Sequence, residues 1–338
     1  MKKIFFVVAL LVVVASCTKN EVIPQNDGNN EITYLTAPLT KATSSFGTSN
    51  KFYSYAYLVT SGNWAGNSAS SSLYINEAEI WYQTPEWKAN QSYYWPKNDG
   101  SSLTFFAWSN GTGTLVDAIG ECSNTKGVQF PNYNVSDLGN KNKDMMVAKI
   151  VADQKANTNS GVVPTLFYHV LSSLDIRAQR AKDYDSTTFK IVSIKFNNVS
   201  VEGSYVQGIN ASALPTAGAW TESNPKKTKN LDVYTPDAAT KVDGLATATP
   251  QTFTSLTPDD YSIFLPHTLV DAETVTIVYT INNGLSTETV TVTKSLKEIF
   301  GSWEAGKKYM LTITLSLNEI LWDPAVEEWE PGTGTWGI

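Results

Sequence analysis

The sequence is poor in the side chains that most enzymes and metal sites use. Its 338 residues include two cysteines, Cys17 and Cys122, and two histidines, His169 and His267. It contains no His-Glu-x-x-His, Gly-x-Ser-x-Gly, glycine-rich phosphate loop or paired-cysteine metal pattern, and its scattered carboxylates mark no glycosidase pair. His169 lies in an apolar run, where a core histidine is the simpler interpretation. We therefore predict no enzyme, no catalytic residue, no cofactor and no metal site.

Charge is also scarce. Charged residues make up 17% of the chain, the formal net charge is −7, and Arg177 and Arg180 are the only arginines. This balance offers no basic surface for nucleic acid, so we expect none as a partner. Aromatic residues reach 12%, and threonine and serine are abundant, which is typical of an all-β protein with polar outer faces. A helical period is missing except for a short candidate at 295–300.

The first residues have the layout of an export signal. A lysine pair precedes the unbroken apolar run Ile4–Val14, which is too short to span a bilayer as a mature helix. Small residues then lead into Cys17, an arrangement that resembles the lipobox of bacterial lipoproteins. The resemblance implies a signal peptide over 1–16, acylation of Cys17 and, because Thr18 follows rather than Asp, an outer-membrane location. Residues 17–30 would be the lipidated end and a linker. An ordinary signal peptide with an incidental cysteine is the alternative.

Short apolar and alternating runs recur along the rest of the chain. They predict an all-β fold with two antiparallel β-sandwich domains, at 31–183 and 184–338. The boundary follows a change in composition at 181–186. The residues expected in the first core are Leu103, Phe105 and Leu166, and those expected in the second are Ile194, Ile277 and Ile313.

Two turn signals predict hairpins. Asn98-Asp99-Gly100 lies between the apolar runs 93–96 and 103–108. Asn283-Gly284 lies between two alternating runs and fits the positive φ angles of a type I′ turn.

The C-terminal end combines a strand with a long apolar tail. Residues 307–317 alternate with a period of two, which predicts a half-buried strand of an antiparallel sheet. Pro324 and Pro331 interrupt the tail that follows, so it cannot all be a central strand. The large apolar residues of the tail are Ile320, Trp322, Val326, Trp329 and Trp336. They need burial either in their own domain or in a neighbouring molecule.

Four separated segments point to a known family. They are Tyr94–Pro96 leading into Leu103–Trp108, then Lys143–Ala148, Leu166–Leu174 and Trp303–Tyr309. In this order, and together with the lipobox, they resemble the fimbrillin family, the type V pilins and accessory subunits of Gram-negative oral and gut anaerobes. The resemblance covers most of the mature chain. It implies two transthyretin-like antiparallel β-sandwich domains and assembly by strand exchange after a surface protease removes the N-terminal segment.

The strand-exchange model assigns roles to particular residues. Removal of a first strand at 32–36 would open a groove that a strand from another subunit can fill, and the five apolar tail residues are the candidate donor anchors. Shaft pilins of this family are typically cut after an arginine in the loop that follows the first strand. This chain has Lys41 followed by Ala42 instead. Either a protease that tolerates lysine cuts there, or the chain stays uncut and attached through Cys17.

The sequence therefore predicts a structural subunit of cell-surface fimbriae that supports adhesion. Its expected partners are other fimbrial subunits, the outer membrane and a host or bacterial surface receptor. A non-polymerising anchor or tip subunit is one alternative, and a tail folded back on its own domain would suit it. A carbohydrate-binding surface lipoprotein is the other, and the tryptophans that would stack on sugars are Trp64, Trp81, Trp87 and Trp95. Core packing is the simpler role for these four, since most lie in apolar strands.

Overall fold

The computed structural model describes residues 30–36, 47–111, 120–135, 144–247, 251–256 and 262–329, and these ranges form an all-β structure. The first eleven strands are β1 (Thr33–Thr36), β2 (Lys51–Val59), β3 (Ser72–Gln83), β4 (Glu86–Ala89), β5 (Ser102–Ser109), β6 (Glu121–Ser123), β7 (Gly127–Asn134), β8 (Met146–Ala148), β9 (Val151–Gln154), β10 (Val162–Thr165) and β11 (Phe167–His169). The next seven are β12 (Ser172–Arg180), β13 (Thr188–Ser200), β14 (Glu202–Val206), β15 (Ala219–Glu222), β16 (Thr228–Tyr234), β17 (Thr240–Lys241) and β18 (Thr254–Ser255). The last seven are β19 (Ser262–Phe264), β20 (His267–Thr268), β21 (Thr274–Asn282), β22 (Thr287–Ser295), β23 (Ser302–Trp303), β24 (Lys307–Leu315) and β25 (Ile320–Glu328).

Helical structure within the described ranges is limited to short turns. The α-helices are α1 (Trp64–Asn67) and α2 (Leu296–Phe300), and 3₁₀ turns occur at Ser68–Ser70, Thr158–Gly161 and Pro215–Ala217. The position of α2 confirms the short helix expected at 295–300. Among the described residues no helix has the length and apolar character needed to cross a membrane.

A nine-stranded sheet forms most of the N-terminal half. Its strand order is β10-β1-β4-β3-β2-β5-β8-β11, and β9 pairs with β5. Strands β2 and β5 are apolar on both faces, so the sheet buries side chains on each side. We call the cluster on one face the N-terminal core; it includes Ile32, Tyr34, Phe52, Ile80, Trp87, Trp95, Phe105 and Val163.

A four-stranded sheet, β15-β14-β7-β6, contributes to a second cluster. We call it the junction core; it includes Tyr55, Trp64, Trp108, Phe130, Val170, Tyr205, Ile263 and Trp329. Strands β6 and β7 precede residue 183 and strands β14 and β15 follow it, so both halves of the sequence build this sheet.

Two further sheets enclose the C-terminal core. One has the order β18-β12-β24-β25 with β19 on β12, and the other has the order β16-β13-β21-β22 with β17 on β13. On β21 the apolar residues Val275, Ile277 and Tyr279 point inward and threonines point outward, the alternation expected of a strand with one wet face. The C-terminal core also includes Leu174, Phe189, Ile194, Phe196, Leu311 and Ile313.

Most of the core residues named from the sequence are buried where expected. Leu103 and Phe105 lie in the N-terminal core, and Ile194, Ile277 and Ile313 lie in the C-terminal core. Leu166 is only half-buried and belongs to none of the three clusters, because its neighbours Thr165 and Phe167 take the inward positions. The predicted boundary between residues 183 and 184 stays a prediction. Strand β12, which precedes it, pairs in parallel with β24 and joins the C-terminal core.

The two hairpin predictions had different outcomes. Strands β21 and β22 pair over their full length, which confirms the hairpin at Asn283-Gly284. Only Gly284 has a positive φ there, so the turn is not type I′, which requires two such residues. The hairpin predicted at 98–100 is wrong. The segment before it pairs with residues 30–32, and β5 pairs with β2, β8 and β9.

Candidate functional site

The first strand lies between two neighbours. Strand β1 pairs in parallel with β10 along its whole length, and Tyr34 lies opposite Trp87 of β4. Just before β1, the Ile32 amide donates to the Tyr93 carbonyl at 2.7 Å, and the Trp95 amide donates to the Asn30 carbonyl at 2.9 Å. The segment 30–36 is therefore an interior strand. Its loss would leave backbone groups unpaired on both sides.

The side chains of this segment fill the N-terminal core. Ile32 and Tyr34 are buried, and the Tyr34 ring packs edge-on against Phe52 and Phe105 at centroid distances of 5.5 and 6.0 Å. The Tyr34 hydroxyl donates to the Ser54 hydroxyl oxygen at 3.0 Å, and burial raises the pKa of the Tyr34 phenol well above its usual value. This strand fills two apolar pockets and makes one buried polar contact.

Several of the predicted site residues lie outside the described residues. These are Cys17, Lys41, Ala42 and Trp336. Thr36 is the last described residue before the segment that contains Lys41, and Trp329 is the last described residue of the tail.

The other four candidate anchors lie in or beside β25. This strand pairs in an antiparallel manner with β24 of its own chain, from Leu315 opposite Ile320 to Lys307 opposite Glu328. It is the edge of its sheet among the described strands. Ile320 and Trp322 pack against the C-terminal core, whereas Val326 is 55% exposed.

The remaining anchor, Trp329, is the most deeply buried of the four. Its indole is 5% exposed and lies parallel to the His169 imidazole, with the ring centroids 3.8 Å apart and the planes 5° from parallel. The Trp329 amide donates to the Gly306 carbonyl at 2.7 Å, and His169 Nδ1 lies 2.8 Å from Asp144 Oδ2. Trp329, which directly follows β25, thus packs in the junction core and not in the C-terminal core. The sequence marked Trp329 as apolar but gave no sign of this partner.

The tryptophans of the carbohydrate-binding alternative have little free surface. Trp64, Trp87 and Trp95 are each less than a tenth exposed, because they pack in the junction core or the N-terminal core. Trp81 is half-buried, and the Lys51 ammonium lies 5.4 Å from its ring centroid. Trp64, Trp87 and Trp95 therefore offer no open aromatic face for a sugar ring.

Neither histidine is arranged as a catalytic group. His169 is completely buried beneath Trp329, and His267 lies 2.8 Å from the buried carboxylate of Glu273. Within the described ranges, no group of three or more His, Cys, Asp or Glu side chains could hold a metal ion. Burial raises the pKa of the Cys122 thiol, which favours its protonated form.

Comparisons with known proteins agree with this architecture. The chain is similar to the crystal structure of a fimbrial protein from Bacteroides vulgatus ATCC 8482, with 19% identity and a TM-score of 0.67 over 89% of this chain and 100% of that one. It is also similar to the crystal structure of a putative cell adhesion protein from Bacteroides uniformis ATCC 8492, with 18% identity and a TM-score of 0.53 over 91% and 100% of the two chains. No curated protein matches significantly. The fimbrillin-like family model matches residues 22–329, and this chain therefore belongs to the fimbrillin-like family.

Proposed function

We propose that this chain is a structural subunit of cell-surface fimbriae that is exported as a lipoprotein, joins other subunits by β-strand exchange and supports adhesion. Membership of the fimbrillin-like family supports the fimbrial and non-enzymatic role. The observation that carries the strand-exchange step is the position of β1, which is paired on both sides and lies five residues before Lys41 in the sequence.

The proposed layout of the mature protein follows from the sequence. Residues 1–16 are removed, the acylated Cys17 anchors the chain in the outer membrane, and residues up to 30 form the linker. Two transthyretin-like sandwich domains then follow, at 31–183 and 184–338. The separate N-terminal and C-terminal cores support two units, and the shared junction core supports a firm contact between them.

The groove left by β1 would be a strong acceptor. Refilling the Ile32 and Tyr34 pockets is worth about 1.5–3 kcal/mol for each side chain. Each ladder hydrogen bond that is restored to β10 or to residues 93–95 adds about 1 kcal/mol. A strand with alternating large apolar residues meets both requirements, because successive side chains point to opposite faces.

The tail at 318–338 is the proposed donor. Its inner part pairs with β24 in this structure, so donation requires that β25 first detach from its own sheet. Two features lower the cost of detachment: most of β25 is exposed, and its ion pairs Lys307–Glu328 and Lys308–Glu327 lie near the surface, where such pairs contribute little. The main cost is the loss of the buried contacts of Ile320, Trp322 and Trp329.

A cut-and-bind experiment tests the acceptor. A recognition site for a specific protease is placed at Lys41–Ala42, and the purified full chain is cut and mixed with a fluorescent peptide of residues 318–338. We expect the cut chain to bind the peptide and the uncut chain to bind none. A peptide with its five large apolar anchors changed to serine is the control. Equal binding of the two peptides, or no binding after β1 has been released, would contradict the proposal.

A reversible disulfide between β24 and β25 tests whether β25 must leave its own sheet to act as the donor strand. Met310 and Ala325 lie directly opposite each other in the β24–β25 ladder, so the double variant Met310→Cys/Ala325→Cys can form a disulfide across it. We expect the oxidised, protease-cut protein to stay monomeric and the same sample to polymerise after reduction. The singly substituted Met310→Cys protein serves as the control. Polymerisation in the oxidised state would show that β25 need not leave its sheet.

The pairing of β25 with β24 also supports the second candidate function. A tail that remains folded on its own domain suits a non-polymerising anchor or tip subunit, which accepts or caps a strand without donating one. The disulfide experiment separates the two roles. An anchor or tip subunit gives no polymer in either redox state but still binds the donor peptide after cleavage.

A further inference from the structure

The outer edge of β22 is unpaired among the described strands. Strand β22 is nine residues long, pairs only with β21 there, and does so without a register shift. It contains no proline, and its threonines at 287, 289, 291 and 293 are exposed. An edge of this length and regularity is a template for pairing with another chain.

Strand β25, an edge strand of the other sheet in the same sandwich, is protected. Strand β25 carries Pro324, which cannot donate to a ladder, and the exposed acids Asp323, Glu327 and Glu328. Proline and charge are the usual means by which an exposed edge avoids pairing. The sequence of β22 has no such interruption at its centre, so the two edges are built differently.

The backbone of β22 has amides and carbonyls without a strand partner on the edge that faces away from β21. In the turn, the Asn283 amide donates to the Ser286 carbonyl at 3.2 Å. Hydrogen-bonded pairs alternate along an antiparallel ladder, so residues 288, 290, 292 and 294 bond to β21. The amides and carbonyls of residues 289, 291 and 293 then face outward.

The sequence of β22 is self-complementary about Thr291. Antiparallel pairing with an identical strand centred there places Glu288 opposite Lys294, Thr289 opposite Thr293 and Val290 opposite Val292. Glu288 and Lys294 lie on the inner face of the sheet, the face that also carries the half-buried valines. A register shifted by two residues in either direction sets both charges opposite uncharged residues. Opposite charges and matched apolar pairs across a ladder are favourable.

We propose that two copies of this chain associate through β22 about a two-fold axis at Thr291. The axis is perpendicular to the sheet, so the two β16-β13-β21-β22 sheets become one continuous sheet with their inner faces on the same side. The interface is isologous, with the same patch used by each copy. It uses about six ladder hydrogen bonds, two for each outward-facing residue pair between 289 and 293. This association needs neither the groove of β1 nor the tail.

A charge exchange tests the pairing in the uncut full chain, purified in detergent and measured by sedimentation equilibrium. We expect the native chain to dimerise, and Glu288→Lys or Lys294→Glu to weaken dimerisation by about tenfold or more, because each places like charges opposite each other twice. An equimolar mixture of the two variants, and the double variant E288K/K294E, should dimerise as the native chain does. Lys195→Glu, an exposed charge change elsewhere on the same sheet, should have no effect. A native chain that stays monomeric, or charge variants that dimerise normally, would overturn the proposal.

Disulfide capture tests the position of the axis. Residues directly opposite in a hydrogen-bonded pair have Cα atoms about 5.5 Å apart, which suits a disulfide. Thr291→Cys should therefore form a cross-linked dimer on mild oxidation. Thr289 is also exposed, but in the proposed register it lies opposite Thr293 of the second chain. The two Thr289 positions are then four residues apart along the ladder, about 13 Å, so Thr289→Cys should not cross-link. Equal cross-linking of both variants, or none with Thr291→Cys, would rule out the proposed register.

Discussion

Glu273 is a fully buried carboxylate whose charge stabilises the C-terminal half. Its Oε1 lies 2.8 Å from His267 Nε2 and 3.3 Å from Lys226 Nζ, and it accepts the Ser200 amide at 3.2 Å. Its Oε2 accepts the Val270 amide at 2.8 Å. Burial alone would raise the pKa of this carboxyl. The hydrogen bond and charge of His267, the Val270 amide and the Lys226 charge outweigh burial and lower the pKa to about 2.

The lowered pKa sets the direction of a pH effect. The folded-state pKa lies below the ordinary value of 4.5, so the stabilisation is fully present above about pH 5 and is lost as pH falls towards 2. A shift of this size corresponds to about 3 kcal/mol of unfolding free energy. Glu273→Gln should therefore lower the unfolding free energy at pH 7 by about 3 kcal/mol, because it removes the charge beside His267, while Lys226 keeps its 2.8 Å ion pair with Glu222.

Urea unfolding of the full chain at pH 7, 5, 4 and 3 measures this effect. Other carboxylates also titrate in that range, so the informative quantity is the difference in unfolding free energy between native protein and Glu273→Gln. We expect this difference to shrink steadily as pH falls from 5 to 3. Glu319→Gln, a change at an exposed carboxylate, should differ little from the native protein at any pH. A difference between native and Glu273→Gln that is the same at pH 7 and pH 3 would refute the assignment.

Three further outcomes are expected. Cys17→Ser should move the protein out of the outer-membrane fraction without changing its folded stability, and an unchanged distribution and mass would contradict the lipid anchor. Trp329→Ala should lower the unfolding free energy by about 3–5 kcal/mol in urea titrations, as expected for a buried tryptophan, while Leu317→Ala, at a half-exposed position, should cost far less. Gly127→Ala should cost about 1–3 kcal/mol in the same assay, because its φ is +70° and a Cβ atom there would lie 2.2 Å from the Gly208 carbonyl oxygen; an unchanged midpoint would show that the turn relaxes freely.

The local sequence pattern was sufficient to predict those strands whose pairing partners are close in the sequence. The period of two at 307–317 predicted the strand β24, and the turn at Asn283-Gly284 predicted the β21–β22 hairpin. The expectation that β24 is half-buried in an antiparallel sheet was wrong, because β24 also pairs in parallel with β12 and its threonines 312 and 314 are buried. The prolines indicated that the tail cannot all be a central strand, and β25, which contains Pro324, is an edge strand among the described strands.

Long-range pairing was beyond the same reasoning. The turn at 98–100 has the residues of a hairpin, but Trp95 pairs instead with Asn30, more than sixty residues earlier. Likewise, nothing local to β14 indicates that it pairs with β7 across the predicted domain boundary. An apolar run specifies that a strand is buried, whereas its partner depends on which distant run offers a matching surface. For the same reason Trp329 could be recognised as a large apolar residue that needs burial, but not as the partner of His169.

The direction of the β24–β25 ladder has a mechanical consequence. A pull on the chain beyond residue 329 reaches the hairpin at its open end, where Glu328 lies opposite Lys307. Force applied there peels the strands apart one residue pair at a time, which needs far less load than sliding all the pairs at once. Among the described residues, Trp329 makes the first contact that such a force meets. The stacked indole of Trp329 therefore controls how the tail responds to force. While Trp329 stays packed on His169, tension is transmitted to the folded protein. Once Trp329 is pulled out of the junction core, β25 separates from β24 one residue pair at a time.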